Sequence, residues 1–419
     1  MANGDVEVAV IGGGAAGIGA ARRLGEAGVE ALIVEARGRL GGRAWTVEAG
    51  GFAIDLGCGW LHSAKRNPWT TIAEAQGRTI DRTPPPWARA VSQPGMTAEE
   101  AKDFRDALWA LHARADALGE GEPDCALADL LEPGGRWNAL LDAISGYYSG
   151  VSLARVSARD LGRYADDGVN WRVAEGYGAT IVAHGAGLAT AFDSAVARVD
   201  HSGRKIRVET TRGIIEAAVA IVTLPSALIA AEPGLFAPAL PDKTRAAAGL
   251  PLGHDDKLFL ALADAEAFAP ETRAFGDPHR VDTASYQFRP FGRPMIECYF
   301  GGDLAAELER GGEAAFFDFA RAELVGLYGG DFARRIAPLA LHGWSGDPFA
   351  RGAYSCALPG HADDRAELAA PVDSRLFFAG EACSREDFST AHGAYLTGIA
   401  AAEQAIAALI PSPRERGEG

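Results

Sequence analysis

The chain has 419 residues, 48% hydrophobic and 23% charged, enough to bury large cores in two or three domains. Its 40 basic and 56 acidic side chains leave a net charge of −16, which argues against a general basic surface for DNA or RNA and gives a small push toward cationic solutes. Five cysteines, with no C-x-x-C pair, argue against a disulfide framework or a zinc site and for a reducing, cytoplasmic compartment, and no apolar run is long enough to span a membrane.

Residues 6–11 form an apolar run leading into Gly12-Gly13-Gly14-Ala15-Ala16-Gly17. An Ala-rich helical stretch follows, then a second apolar run, Ala31–Val34, ending on Glu35. This pattern predicts strand, glycine turn, helix and strand, the frame of a dinucleotide site. Gly12 permits the tight turn, Gly14 lets a pyrophosphate approach the backbone, and Gly17 lets helix and strand pack closely. The free N–H groups at the helix start, where Ala15 and Ala16 lie, favour phosphate charge. Glu35, 18 residues beyond Gly17 and followed by Ala36 and Arg37, fits the acid that holds a ribose hydroxyl. Gly41, Gly42 and Arg43 then predict a second backbone approach, with a guanidinium beside a phosphate.

Further along, Thr83-Pro84-Pro85-Pro86 reads as a crossover. Thr97 and Glu100 fit a capping box, with Phe104, Leu108, Leu111, Ala115 and Leu118 at helical spacing behind it. Helices are expected over 136–148, 158–165 and 181–191, with a turn at 175–178. Strands are expected over 195–200, 205–210 and 218–223, and an antiparallel set over 257–262, 284–289 and 294–300 with a hairpin loop at Pro290-Phe291-Gly292-Arg293. Phe316, Ala320, Leu324 and Leu327 mark one face of a later helix. The last unit is a strand over 376–379, Gly380-Glu381, and a helix over 391–409, followed by a polar tail, 411–419, expected to be disordered. Rossmann-like pieces at the start, middle and end alternate with helix-plus-sheet pieces, so the fold class expected is α/β with two interleaved domains.

Several blocks coincide with one family. Leu40-Gly41-Gly42-Arg43-Ala44-Trp45, the run Asp55-Leu56-Gly57-Cys58-Gly59-Trp60-Leu61-His62, Trp344 with Asp347-Pro348-Phe349-Ala350-Arg351-Gly352-Ala353-Tyr354-Ser355, Phe378-Ala379-Gly380-Glu381-Ala382 and His392-Gly393-Ala394 occur in order. On these motifs the chain resembles the flavin-containing amine oxidases, and in the Asp55–His62 stretch the polyamine oxidases in particular. The resemblance implies a Rossmann-type FAD-binding domain of the GR2-like kind, over 1–78, 172–250 and 345–410. It implies a substrate domain of helices over an antiparallel sheet, over 79–171 and 251–344. It also implies oxidation of a C–N bond, with hydride passing to flavin N5, hydrolysis of the imine, and oxygen as acceptor giving hydrogen peroxide. The expected partners are a small amine and O2, without nucleic acid, membrane or metal; a homodimer is left open.

The resemblance also implies roles for single residues. Lys257 would hold a water against flavin N5. Tyr354 would be one wall of an aromatic cage, and Thr390 stands where the opposite tyrosine falls in monoamine oxidases, which implies a wider mouth. Ala353 occupies the position of the flavin-tethering cysteine, implying non-covalent FAD. Trp344 would pack near the flavin ring, and His62 would contact substrate. Gly57, Gly59 and Trp60 would lie along the flavin, Val196 would meet the adenine through its backbone, and Gly380, Glu381 and Ala391 would complete the cofactor site. Tyr147, Tyr148, Trp109 and Trp171 are weaker candidates for the pocket wall, and Asp166, Asp167 and Asp282 for holding a distal ammonium. An amino-acid oxidase is the main alternative; it would need an arginine fork, for which Arg89 or Arg163 are candidates. A flavin-dependent desaturase or isomerase, and a flavoprotein that only binds, are further alternatives.

Overall fold

The computed structural model describes residues 4–89, 94–118 and 121–410. The expected tail at 411–419 lies outside them. The chain forms two compact units, one from residues up to 44, 181–251 and from 363 onward, the other from 45–180 and 252–362. Segments 45–78 and 345–362, expected with the cofactor domain, lie in the second unit.

The first unit is built on an eight-stranded sheet. Gly4–Ile11 runs parallel to Ala31–Val34 on one side and to Gly213–Val222 on the other. Leu376–Phe378 also joins Gly213–Val222 in parallel, and an antiparallel meander of Val196–Asp200, Ile206–Thr210 and Gly213–Val222 extends the sheet. Val8, Ala9, Val10 and Ile11 are fully buried, as a parallel strand covered on both faces must be. Helix Ala15–Glu26 packs against helix Ala391–Leu409 through small residues: a Cβ on Gly398 would come within 2.0 Å of the Ala16 carbonyl oxygen, and one on Gly19 within 2.8 Å of Tyr395.

The second unit holds a five-stranded antiparallel sheet in the order Thr272–Phe275, Ser285–Phe288, Met295–Gly301, Asp255–Leu262, Ile336–His342. Strand alternation gives it two unlike faces. One carries Leu258, Leu260, Phe288, Ile296 and Phe300 into a core with the helices Gly302–Gly311 and Glu313–Tyr328. On the other, the register sets Lys257 beside Tyr299 and Tyr299 beside Ser285, and Phe259 beside Glu297 and Glu297 beside Gln287. This second face is polar, yet Asp255, Lys257, Ser285, Gln287 and Glu297 are all buried. A second core gathers around helices Ala98–Asp116 and Asn138–Ser149; the capping box at Thr97 and Glu100 starts the former.

Some expectations need correction. The helix expected over 181–191 is Tyr177–His184, and Thr190–Ala191 is an edge strand. Gly185 and Gly187 follow that helix, and Gly187 at φ +80° takes a conformation the helix cannot continue through. The helix expected over 158–165 stops at Gly162. Strands Thr272–Phe275 and Ile336–His342 and helix Gly302–Gly311 were not anticipated. Among the described residues, no helix is long and apolar enough to cross a membrane.

Candidate active site and nucleotide cradle

In the first unit the glycine turn is over-determined at every position but one. Gly12 has φ +104°, and a Cβ there would meet the Thr223 hydroxyl at 2.5 Å. A Cβ on Gly17 would sit 1.9 Å from the Gly12 carbonyl oxygen, and one on Gly13 would meet Leu40 at 2.6 Å. Gly14 is different: its Cβ would find nothing nearer than 3.9 Å. Packing within the protein therefore does not require glycine at 14, whereas a ligand lying on the backbone would. Gly14 begins helix Ala15–Glu26 with no side-chain cap, so this helix end presents its N–H groups without a side-chain acceptor. Ala15, Ala16 and Gly17 form its buried first turn.

Glu35 closes the cradle. Its buried carboxylate accepts from the Gly13 N–H at 2.7 Å and the Arg37 N–H at 2.8 Å, one bond to each oxygen, which leaves acceptor capacity on both. Ala36 is half-buried beside it. The loop carrying Gly42 folds back onto the turn, with Gly41 bridged to Gly14, and a Cβ on Gly42 would lie 3.3 Å from Gly14 Cα. Arg43 Nη1 donates to Glu381 Oε1 at 2.9 Å, and Glu381 Oε2 accepts from the Ser389 N–H at 3.0 Å. Arg43, Thr223, Pro225, Gly380, Glu381 and Cys383 are among the residues lining a small, partly open hollow. Val196 begins the strand Val196–Asp200. Thr390 caps helix Ala391–Leu409: its hydroxyl oxygen accepts from the Gly393 N–H at 3.0 Å and its proton goes to the Asp387 carbonyl at 2.6 Å. That hydroxyl is committed to the helix start, a role its position before Ala391 could have signalled. An uncapped helix N-terminus, a glycine with open space over it and a buried acid with acceptor capacity to spare match the donor and acceptor set that an adenine dinucleotide calls for, so these residues fit FAD.

In the second unit the polar sheet face gathers Lys257 and groups that sequence reasoning missed. Lys257 Nζ donates to the Asp55 carbonyl oxygen at 3.1 Å, pairs with Glu297 at 3.3 Å, and stands 5.3 Å from the centroid of the Tyr299 ring. Burial works against its charge, but Tyr299, Glu297 and Asp55 outweigh that and hold the ammonium above its ordinary range. Tyr299 donates to Glu297 at 2.8 Å. Gly59 lies against this ammonium, since a Cβ there would be 3.3 Å from Nζ; Gly57 stands two residues before it, half-buried. Asp255, on the same strand face as Lys257, is pushed up to about 8, chiefly by burial and further by Glu297, against the pull of Lys257 and Tyr354.

Tyr354 is placed by backbone. Its carbonyl accepts from the Gly253 N–H at 2.8 Å, and the Ala353 N–H donates to the Gly253 carbonyl at 2.8 Å. Its hydroxyl donates to the Tyr147 carbonyl. Trp344 is buried, with its backbone N–H on Asp256 Oδ1 at 3.0 Å and its indole N–H on the Leu56 carbonyl at 3.1 Å. The loop around it is tied by Glu309, which accepts from the N–H groups of Ser345 at 2.9 Å and Gly346 at 3.0 Å. Burial and the neighbouring Glu309 push Asp256 well above the carboxylate range.

Trp60 and His62 are drawn together around Trp87: the Trp60 and Trp87 ring centroids are 4.5 Å apart and those of His62 and Trp87 6.4 Å apart. His62 Nδ1 meets Asn170 Oδ1 at 2.7 Å; with that atom assigned as the amide oxygen, Nδ1 carries a proton. Arg172 is stacked between Trp60 and Phe291, at 4.6 Å and 4.0 Å, and pairs with Glu271 at 2.5 Å and Asp81 at 3.0 Å. Of the weaker pocket candidates, Trp109 and Tyr148 stand in solvent, at 70% and 45% exposure, and so are not pocket walls. Tyr147 is buried with its hydroxyl on the Thr283 carbonyl, and Trp171 lies under Arg82. Asp166 and Asp167 accept from nearby backbone N–H groups in a turn, and Asp282 is exposed. The one available signal for Glu297 was a lone charge in the apolar run Met295–Gly301.

The profile of the family described as flavin containing amine oxidoreductase matches residues 15–114 and 96–406. Polyamine oxidase 2 of Arabidopsis thaliana is 28% identical, over 94% of this chain and 87% of that protein. Lysine-specific histone demethylase 1 homolog 2 of Oryza sativa subsp. japonica is 26% identical, over 95% of this chain and 57% of that protein. A putrescine oxidase structure with putrescine bound superposes with a TM-score of 0.78 at 16% identity, covering 96% of this chain and 99% of that one, and thus shares the fold. The chain belongs to the flavin containing amine oxidoreductase family, whose members oxidise amines with a flavin.

Proposed function

We propose that this enzyme holds FAD non-covalently and oxidises a C–N bond of a small di- or polyamine. The observation that carries the cofactor reading is Gly14, whose missing side chain leaves space that no protein atom uses. Gly12, Gly17 and the helix start would seat the pyrophosphate, Glu35 the ribose, and Arg43 with Glu381 the remaining polar part of the cofactor. When bound, the flavin accepts a hydride from the amine carbon and returns two electrons to oxygen, giving an imine and hydrogen peroxide. Lys257 supplies a fixed buried positive charge whose proton is not easily lost, suited to holding a water and stabilising negative charge on the reduced cofactor. Tyr354 offers an aromatic face to the amine, and Trp60 and His62 contribute a polar-edged wall. The two di- and polyamine-type relatives and the acidic surface support a cationic substrate. The substrate must bind as the free amine to lose hydride, so the rate of the reductive step is expected to rise with pH as the amine deprotonates.

An amino-acid substrate would need an arginine fork: of the two candidates, Arg89 donates to the carbonyls of Pro84 and Pro270, and Arg163 stands at the C-terminal end of helix Ala158–Gly162, while Arg172 is committed to Glu271 and Asp81. A peroxide-coupled screen with putrescine, spermidine, benzylamine and L-amino acids tests this. Turnover of the di- or polyamines is the expected result, and turnover of amino acids alone would overturn it. Ala353 has no sulfur, so acid precipitation is expected to release yellow cofactor into the supernatant. Colour retained in the pellet would contradict non-covalent binding.

A further inference from the structure

Backbone register pairs the proposed substrate wall with one short segment of chain. Leu61 and Trp171 are bridged antiparallel: the Leu61 N–H donates to the Trp171 carbonyl at 2.7 Å, and the Trp171 N–H to the Leu61 carbonyl at 3.2 Å. Their neighbours therefore fall opposite one another, Trp60 against Arg172 and His62 against Asn170. Both pairs are in contact. His62 Nδ1 is 2.7 Å from Asn170 Oδ1, and the Arg172 guanidinium carbon lies 4.6 Å from the centroid of the Trp60 ring. Trp60 and Arg172 are both buried.

The guanidinium is itself held firmly. The short ladder of Ile80–Asp81 with Arg172–Val173 sets Arg172 opposite Asp81, and Arg172 Nη2 donates to Asp81 Oδ2 at 3.0 Å and to Glu271 Oε1 at 2.5 Å. Glu271 also accepts from the Phe291 N–H at 2.7 Å and from the Gln287 side-chain amide. Phe291 in turn lies against the guanidinium, its ring centroid 4.0 Å from the guanidinium carbon. Glu271 at φ +61° and Phe291 at φ +56° are both left-handed without being glycine, a backbone cost that these buried contacts offset. Arg172 Nη1 is buried and finds no acceptor among the described residues. The guanidinium is thus placed for its contact with the two rings rather than for a full set of hydrogen bonds.

We propose that Arg172 is a positioning residue for amine binding: its planar guanidinium, clamped by Glu271 and Asp81, fixes the Trp60 ring at the angle at which it meets the substrate. The inference rests on Trp60 lying against the amine as proposed above. It goes further by assigning the orientation of that ring to a second residue, and by separating two properties of the guanidinium. Its charge satisfies two carboxylates, and its plane holds the indole; a lysine supplies the first without the second.

Anaerobic stopped-flow reduction of the holoenzyme by putrescine reads the amine Kd apart from the limiting rate, and mixing reduced enzyme with oxygen reads a step in which the amine takes no part. Arg172→Lys keeps a cation for the two carboxylates. It is expected to melt near the native protein yet bind putrescine about 10-fold more weakly, the scale of one desolvated contact between a guanidinium and an indole. Its oxygen reaction should be unchanged. Arg172→Met combined with Glu271→Gln, which removes both members of the closest ion pair, should show the same weakening. In a Trp60→Ala background neither change should weaken binding further, because Arg172 acts through that ring. Native-like putrescine binding in these variants, effects of Arg172 and Trp60 that multiply, or an equal loss in the oxygen reaction would overturn the inference while leaving the oxidase reading intact. Failure of every amine to reduce the native flavin would instead remove the reading on which it rests.

Discussion

Gly17→Ala should prevent the nucleotide-binding segment from folding, whereas Gly14→Ala should leave the fold intact and strip the protein of its flavin. The contrast follows from the space at each position. A methyl on Gly17 would stand 1.9 Å from the Gly12 carbonyl oxygen, a clash with backbone that no rotamer change relieves. Moving the helix away from the strand would open the core around Val10, Ile11 and Ile18, all fully buried, at a cost of ~3 kcal/mol or more. At Gly14 the backbone is already extended, with φ −77° and ψ −171°, so alanine is sterically welcome in the free protein. Alanine is a poorer N-cap than glycine, but that costs under about 1 kcal/mol. The methyl would occupy the place where a pyrophosphate approaches, losing one or two charge-assisted bonds, and FAD affinity should fall about 10- to 100-fold. Thermal melts and flavin retention on gel filtration separate the two outcomes. A Gly14→Ala protein that keeps its cofactor as tightly as the native one would remove the pyrophosphate from this turn.

Lys257→Met should slow reoxidation of the reduced flavin by about 10²-fold, the scale of removing one preorganised charge from a buried site. The substitution also leaves Glu297 with Tyr299 as its donor and no counter-charge at 3.3 Å, so stability should drop by ~3 kcal/mol. The two effects can be separated. Adding Glu297→Gln to Lys257→Met removes the orphaned carboxylate and should restore most of the stability while leaving the oxygen reaction slow. Stopped-flow mixing of reduced enzyme with oxygen measures the second quantity and a melting curve the first. Oxygen kinetics unchanged in Lys257→Met would withdraw the role given to this lysine.

What the sequence made legible divides along physical lines. The strand, glycine turn, helix and acid were readable because they act through backbone geometry, which local sequence dictates: Gly17 packs on Gly12, and Glu35 accepts from the Gly13 N–H. The capping box at Thr97 and Glu100 was readable for the same reason. The polar sheet face was not. Asp255-Asp256-Lys257 has the look of a solvated strand start, and only the register with Met295–Gly301 reveals that Lys257, Glu297 and Tyr299 are brought together and buried. Strands Thr272–Phe275 and Ile336–His342 escaped notice because neither alternates cleanly; Arg273, Pro338 and His342 interrupt the pattern. At Thr390 similarity suggested a site position, and the local sequence also carried a second role, the cap of helix Ala391–Leu409.

The most direct measurement is an anaerobic titration of the purified yellow protein with putrescine or spermidine. The absorbance band near 450 nm characteristic of oxidised flavin should bleach with about one equivalent of amine per flavin, and admitting oxygen should restore it with release of hydrogen peroxide. A protein that carries no such band after reconstitution with FAD, or a band that no amine bleaches, would contradict the account.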